Sequence, residues 1–173
     1  MAFNELVAAH GDRVFNTVLG MLQHQEDAED VTQEVFVAVY QNIQKFRGDA
    51  KLSTWIYRIA ITKALESLRR NKQRRSKLVD EGLAKLESTP AAPFNHPGIA
   101  IENKEKAAVL FKALAQLPDN QKTAFVLHKT EGLSYAEVAA VMNLSIPSIE
   151  SLIYRARQNL QRILASFYEK DKD

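Results

Sequence analysis

Residues 132–164 contain the sequence feature that most constrains the fold: two helical patterns separated by a short polar break. Ser134 is followed three residues later by Glu137, which is the spacing of a capping box and predicts that a helix begins there. After the break at 143–145, apolar residues recur at intervals of three and four: Ile149, Leu152, Ile153, Ala156, Leu160, Ile163 and Leu164. A helix pair with such a short turn and a long second helix is the arrangement that places a helix in the DNA major groove.

The residue composition excludes several classes of protein. Of the 173 residues, 46% are hydrophobic, which is enough for the core of one domain or of two small ones. There is no cysteine, so disulfides, thiolate catalysis and cysteine-ligated zinc are excluded, and we expect neither a metal site nor a cofactor. No signal-peptide core opens the chain, and no apolar run approaches the ~20 residues of a transmembrane helix. We therefore expect a cytoplasmic protein without membrane insertion.

Charge is distributed unevenly along the chain, although the net charge is only +2. Residues 1–44 contain one basic residue against seven acidic ones, whereas residues 45–77 contain eleven basic residues against two acidic ones. A solvated helix face is the ordinary explanation of a single charged cluster. An acidic block followed by a dense basic block instead favours two partners of opposite character, one of them a polyanion.

Helical periodicity continues through the rest of the chain, without the alternating pattern of a strand. A cluster of proline, serine, threonine and glycine at 88–98 lacks periodicity and predicts a linker. We predict an all-α protein of two small helical domains joined by a flexible linker. The first domain spans 1–76, the linker 77–100, and the second, a four-helix domain with the helix-turn-helix, 101–173.

Local signals predict where two other helices begin. Ser53 or Thr54 is expected to cap a third helix that runs from about Thr54 to Arg70 or beyond. Pro118 is expected to end one helix and to open the next near Asp119.

Three segments, in this order, resemble the extracytoplasmic-function sigma factors of bacteria. They are DAEDVTQEVFVAVY at 27–40, FRGDAKLSTWIYRIAITKALESLRR at 46–70 and YRARQNL at 154–160. These small initiation factors of the sigma-70 family keep only the second and fourth conserved regions. The resemblance covers both predicted domains and the linker between them, so it is far more specific than a lone helix-turn-helix.

The resemblance implies a transcription initiation factor that binds bacterial core RNA polymerase, through its β′ and β subunits, and directs it to promoter DNA. The acidic second helix would dock on a coiled coil of β′. The residues implied in that contact are Asp30, Gln33, Glu34 and Val37. Members of the family are commonly held by an anti-sigma factor, so such a partner is implied too. The mechanism contains no covalent chemistry, and we expect no enzymatic activity.

The resemblance also implies two contacts with DNA. The third helix and the loop before it would hold the melted −10 strand, through phosphate contacts and a pocket for an unstacked base. The residues are Arg47, Lys51, Trp55, Arg58, Thr62, Lys63, Arg69 and Arg70, with Thr62 standing where the family usually has asparagine. The last helix would enter the major groove at the −35 element. Its residues are Ser148, Ser151, Tyr154, Arg155, Arg157 and Gln158.

Three alternatives stay open at the level of sequence. A helix-turn-helix regulator that is not a polymerase subunit would have the same last domain, but its first domain would offer a ligand pocket or a phospho-acceptor. An enzyme could use Asp27, Asp30 and Glu34 as metal ligands, although the four histidines are scattered and no glycine-rich phosphate loop is present. A helical adaptor is the third alternative.

Overall fold

The structure, a computed structural model, describes residues 2–82 and 104–170, and these residues form helices and no strand. The α-helices are α1 (Phe3–Leu22), α2 (Gln25–Asn42), α3 (Leu52–Asp80), α4 (Lys104–Leu114), α5 (Asp119–Phe125), α6 (Tyr135–Met142) and α7 (Ile146–Lys170). A 3-10 turn follows α2 (Ile43–Lys45), and a π-helical turn follows α5 (Val126–Thr130). The predicted all-α fold class is confirmed.

Helices α1, α2 and α3 pack on one another as an N-terminal bundle. Helix α2 begins where the His24 ring accepts a hydrogen bond at Nδ1 from the Asp27 amide, at 3.2 Å. Glu26 and Asp27 then lie in the first turn, where the helix dipole favours negative charge. Apolar residues on the inner face of α2 form the centre of the bundle: Ala28, Val31, Val35 and Val39.

The start of α3 differs from the prediction. The helix begins at Leu52 with Lys51 at the N-cap, and no side chain caps it. Thr54 lies inside the helix and is 7% exposed, so neither Ser53 nor Thr54 is the cap. Within the helix Tyr57 and Ile61 are buried, whereas Trp55 is only partly so.

Helix α3 runs four residues past the predicted end of the first domain at 76. Residues 77–80, which the sequence assigned to the linker, are therefore helical. The predicted linker beyond residue 82, together with the predicted start of the second domain at 101–103, lies outside the described residues.

The C-terminal helices follow the sequence signals closely. Pro118 stands immediately before α5. The predicted capping box is present at α6: Ser134 Oγ accepts from the Glu137 amide at 3.1 Å, and Glu137 Oε1 accepts from the Ser134 amide at 3.4 Å. Asn143 ends α6 in the left-handed conformation, with φ 55°, and so provides the turn that leads into α7.

The two predicted domains pack directly against each other. One buried cluster contains Met21, Tyr57, Ile61 and Ala64 from the N-terminal bundle and Leu127, Leu133, Val138 and Val141 from the C-terminal helices. Helix α1 also approaches the π-helical turn closely, because a Cβ at Gly20 would lie 3.1 Å from Cγ1 of Val126. The two domains therefore share one buried apolar cluster.

Candidate polymerase and nucleic-acid interfaces

The outer face of α2 carries the four residues predicted to bind polymerase. Asp30 and Gln33 are exposed, and Val37 has 55% of its surface exposed. Glu34 is partly buried, and its Oε1 lies 3.8 Å from Nη2 of Arg70 on α3. The face therefore combines carboxylates and an amide with an uncovered apolar side chain.

An open groove of about 530 Å³ lies between α2 and α3. It brings together four of the eight residues predicted for the −10 strand: Trp55, Arg58, Thr62 and Lys63. Trp55 packs against the N-terminal core and against Phe46, with ring centroids 5.3 Å apart. The Thr62 hydroxyl donates to the Arg58 carbonyl at 2.9 Å. The groove thus offers an aromatic wall, a hydroxyl oxygen that can still accept, and three cations, since Lys45 lines it as well, beside the carboxylate of Glu66.

The other four residues predicted for −10 DNA do not line this groove. Arg47 and Lys51 are exposed in the loop before α3, which turns at Gly48, where φ is 78° and glycine has no Cβ to clash. Arg69 and Arg70 are exposed further along α3. These cations therefore lie outside the groove, in the loop before α3 and further along α3.

The outer face of α7 carries all six residues predicted for −35 DNA, and all six are exposed. The inner face is buried through Ile149, Ile153, Ala156 and Leu160. Ser148 is engaged in the turn, because its amide donates to Ser145 Oγ at 3.3 Å and the two hydroxyls are 2.8 Å apart. The Tyr154 hydroxyl accepts from Gln158 Nε2 at 2.8 Å, so these two side chains form one polar unit.

Three polar contacts join α3 to the C-terminal helices, and sequence analysis missed all of them. Arg58 Nε donates to the Ala140 carbonyl oxygen on α6 at 2.8 Å. Lys72 Nζ lies 3.4 Å from Asp119 Oδ2 at the start of α5. The third contact pairs the Tyr57 hydroxyl with Glu131 Oε2 at 3.5 Å. No periodicity marks these residues as partners, because each pair is separated by 47 to 82 positions.

Glu131 carries its carboxylate into the interdomain interface. Its Oε1 is buried without a hydrogen-bond partner, and the Thr17 hydroxyl donates to the Arg13 carbonyl. Burial raises the pKa of Glu131, and the charge of Arg13 and the hydroxyls of Tyr57 and Thr17 oppose this only in part. Burial and the adjacent Glu131 together raise the pKa of Tyr57 to about 12. The pair is therefore a neutral phenol beside a carboxyl group whose charged form is disfavoured by burial.

A basic cleft of about 360 Å³ opens between α3 and α5. Lys72, Arg74 and Arg75 line it from α3, and Lys122 lines it from α5. Lys122 is only 4% exposed, and burial lowers its pKa, with Asp119 opposing the shift and Lys72 adding to it. The cleft thus combines cations of both domains with the carboxylates of Asp27 and Asp119.

The described residues show neither a cluster of metal-ligating side chains nor a single membrane-spanning helix. Residues 2–82 and 104–170 contain no group of three or more histidines or carboxylates that could hold a metal ion. In the same residues no single helix is long and apolar enough to cross a membrane. Helices α6 and α7 pass that test only as a pair, and the pair is bent by 102°.

Comparison with known proteins identifies both domains. Residues 6–74 match Sigma-70 region 2, and residues 108–160 match Sigma-70 region 4. The RNA polymerase sigma-H factor of Pseudomonas aeruginosa is 32% identical over 166 residues, covering 94% of this chain and 86% of that protein. The ECF RNA polymerase sigma-E factor of Escherichia coli is 33% identical over 160 residues, covering 91% and 83%.

A solved structure supports the fold independently. The sigma factor RpoE of Bartonella quintana, crystallised with the anti-sigma factor NepR, superposes with a TM-score of 0.73 at 21% identity, covering 94% of this chain and 96% of that one. The sequence relatives remove the alternative of a regulator that is not a polymerase subunit. The chain belongs to the extracytoplasmic-function sigma factors of the sigma-70 family, and it directs RNA polymerase to promoters.

Proposed function

We propose that three separate surfaces of the chain each make one of the contacts of a sigma factor. The outer face of α2 binds core RNA polymerase, the groove between α2 and α3 holds the melted −10 strand, and the outer face of α7 contacts the −35 duplex. The observation that carries this proposal is the groove, because four residues predicted from sequence line a single concave surface of suitable chemistry.

The contact with polymerase depends on the mixed chemistry of the α2 face. Val37 is exposed beside Asp30 and Gln33, and an apolar side chain ringed by polar ones is typical of the centre of an interface. Glu34 is held toward Arg70, so it contributes to orienting α2 and α3 as well as to the charge of the face. Basic and polar side chains of the β′ coiled coil are the partners that fit.

The groove suits a single strand better than a duplex. Stacking of an unpaired base on an aromatic ring is worth about 1–3 kcal/mol, and Trp55 offers part of its ring at the groove wall. Arg58 and Lys63 would neutralise phosphates, with Lys63 in competition with Glu66 at 3.7 Å. Thr62 presents a hydroxyl acceptor to the base, since its proton is given to the backbone.

On α7 the two arginines are the strongest DNA candidates. Arg155 and Arg157 are exposed on the long helix of the pair, where side chains reach base edges or phosphates. Tyr154 and Gln158 act as a pair, and Ser151 lies one turn before Arg155 on the same face. Ser148 contributes to the turn, so we assign it the smallest share in DNA contact.

An anti-sigma factor is the proposed regulator. The similar sigma factor RpoE of Bartonella quintana was solved in complex with the anti-sigma factor NepR, and CnrH, another structural neighbour, was solved in complex with the cytosolic domain of CnrY. Sigma factors are not enzymes as a class, and we propose that this chain likewise has no catalytic activity. Because it works on polymerase and DNA, its proposed location is the cytoplasm.

A binding assay with purified core polymerase tests the assignment of the α2 face. Asp30→Arg should weaken binding to purified core polymerase at least tenfold, because it reverses a charge at the centre of the α2 face. Asp12→Arg, the same change at an exposed position on α1, is the matched control and should leave binding unchanged. Equal binding by both variants would remove α2 from the polymerase contact.

A further inference from the structure

The basic cleft between α3 and α5 belongs to none of the three surfaces proposed for polymerase and promoter DNA. Its volume of about 360 Å³ lies within the roughly 300–1,000 Å³ that is typical of small-molecule sites. Four lysine and arginine side chains line it, against two aspartates. An excess of positive charge in a concave site favours a small anion as its occupant.

Both carboxylates of the cleft already have partners in the chain. Asp119 Oδ2 lies 3.4 Å from Lys72 Nζ, and Asp27 Oδ2 accepts a hydrogen bond from Asn71 Nδ2 at 3.3 Å. Neither carboxylate forms an ion pair with Lys122, on which Asp119 acts only at longer range. Within the described part of the chain, the charge of Lys122 is therefore left without a paired carboxylate.

Lys122 distinguishes this cleft from an ordinary basic surface. The residue is only 4% exposed, and no group in residues 2–82 or 104–170 accepts a hydrogen bond from its ammonium group. Among the described side chains, the polar atom that is both fully enclosed and unpartnered is Glu131 Oε1, so the ammonium group of Lys122 still reaches the cleft that it lines. An anion in the cleft would supply the missing partner at little further cost in desolvation, because the ammonium group is already largely removed from water.

The other lining residues indicate the chemistry of the anion. Arg75 lines the cleft from α3 and is exposed, and a guanidinium group is well suited to bind phosphate oxygens in pairs. Leu22, Leu68 and Leu117 line the same cleft and give it an apolar wall. Cations from two domains beside an apolar wall match a ligand that has phosphates at one end and a flat ring at the other.

The depth of the cleft argues against the backbone of a DNA duplex as its occupant. Lys72, whose side chain is 71% exposed, stands at the rim, where it can meet a duplex. Lys122 is too recessed for a convex duplex backbone to reach. A small ligand is the one that contacts both.

From these observations we propose that the basic cleft binds a small phosphorylated ligand of the nucleoside polyphosphate class. The phosphates bind Lys122 and Arg75, and the base packs on Leu68 and Leu117. The cleft is separate from the α2 face, the −10 groove and the α7 face, so this inference does not rest on the function proposed for them.

Isothermal titration calorimetry of the full chain tests the site, with ATP and GTP as probes in a metal-free buffer at ~0.15 M salt. We expect saturable binding of one nucleotide per chain, weaker binding of inorganic triphosphate and no detectable binding of adenosine. Lys122→Met should weaken nucleotide binding at least about tenfold, because it removes the buried charge that contacts phosphate. Lys129→Met removes the same charge at an exposed position of the same domain, so this matched control should bind like the wild type.

Three results would overturn the proposal. Without saturable nucleotide binding there is no site, and equal weakening by the two lysine variants would reduce the binding to general surface charge. Equal affinities for ATP and inorganic triphosphate would overturn the assignment to a nucleoside. Arg75→Gln changes an exposed residue and leaves the core intact, so it tests the site even if Lys122→Met fails to fold. It too should weaken binding, and wild-type affinity in this variant would remove Arg75 from the site.

Competition with DNA separates the cleft from the promoter surfaces. Duplex DNA added in excess should not displace bound ATP, because the recessed ammonium group of Lys122 lies beyond its reach. Displacement of ATP by the duplex would show that the cations of the cleft bind DNA and would contradict a small-molecule site.

Discussion

Arg58 donates a hydrogen bond from Nε to the backbone carbonyl oxygen of Ala140, and this 2.8 Å contact joins the proposed −10 groove to the helix-turn-helix. Only Nε is engaged here, so the other N–H groups of the guanidinium are available for the phosphate contact proposed above. Under that proposal the same side chain has different partners in the free chain and in the promoter complex. Effects on DNA binding and effects on the interdomain interface can be separated only with variants at residues that take part in one of them.

Arg155 is proposed to act in DNA binding only. Arg155→Ala should weaken binding to a −35 duplex and lower the slope of log affinity against log salt by about one unit if it contacts a phosphate. Gln161→Ala, an uncharged change at an exposed position of the same helix, should alter neither. Fluorescence anisotropy over a salt series measures both quantities, and identical slopes for the two variants would exclude Arg155 as a phosphate contact.

Ser134 is expected to stabilise the helix-turn-helix. Ser134→Ala removes the acceptor for the Glu137 amide and should cost about 1 kcal/mol. For a chain of this size that loss lowers the melting temperature by about 2–4 °C. Ser76→Ala, at an exposed position within α3, should change it by less than half as much. Thermal unfolding followed by circular dichroism measures both melting temperatures. Equal changes in the two variants would show that the Ser134 cap does not stabilise the protein.

The helix-turn-helix was predictable because its signals are local. The Ser134–Glu137 spacing and Pro118 each act within one turn, and both elements begin where the sequence places them. The start of α3 was not predictable in this way, because Lys51 supplies no side-chain cap and two better capping residues follow inside the helix. For the −10 site, the sequence named eight residues, but the fold brings only four of them to the groove.

The interdomain interface could not be predicted for a different reason. Periodicity shows that a helix has an apolar face but not what covers that face. Tyr57 and Ile61 look like core residues of their own domain, and only the structure places them against Leu133 and Val138. Glu131 gives no signal at all, since a carboxylate after a helical segment is ordinarily solvated.

Glu131 is expected to make the stability of the interdomain interface depend on pH. Burial raises its pKa in the folded chain, so the protonated form is favoured there and the interface is most stable at and below the ordinary value of 4.5. That advantage is lost as the pH rises through the raised pKa. Arg13, Tyr57 and, more distantly, Glu137 are the other ionisable groups that act on this pair. We expect a melting temperature that falls across this window more steeply than in Glu131→Gln.

Near neutral pH, the Glu131→Gln variant should be more stable than the wild type. Glu131→Gln replaces a buried charge by a neutral amide that still accepts from Tyr57, which is expected to add about 1 kcal/mol. Calorimetry at pH 5 and pH 7 checks both statements. A wild type and a variant with parallel pH profiles would show that the carboxylate is solvated.

Lys122 is expected to destabilise the chain in its present form. Burial lowers its pKa, and its neighbour Asp119 already pairs with Lys72. Lys122→Met keeps the length of the side chain and removes the desolvated charge, so it should raise stability by about 1 kcal/mol. Lys129→Met, at an exposed position, is the control and should be neutral. A less stable Lys122→Met protein would show that the ammonium group makes a net favourable interaction in the cleft.

One measurement tests the central claim, that one chain binds both promoter elements, because its two domains must then lie further apart than in the structure. Donor and acceptor dyes at Ala9→Cys and Ala165→Cys, both exposed positions in a chain without cysteine, report the distance between α1 and α7. We predict efficient energy transfer in the free protein and a large loss of transfer in the open promoter complex with core polymerase. Low transfer in the free chain, or high transfer in complexes that are making transcript, would contradict the account.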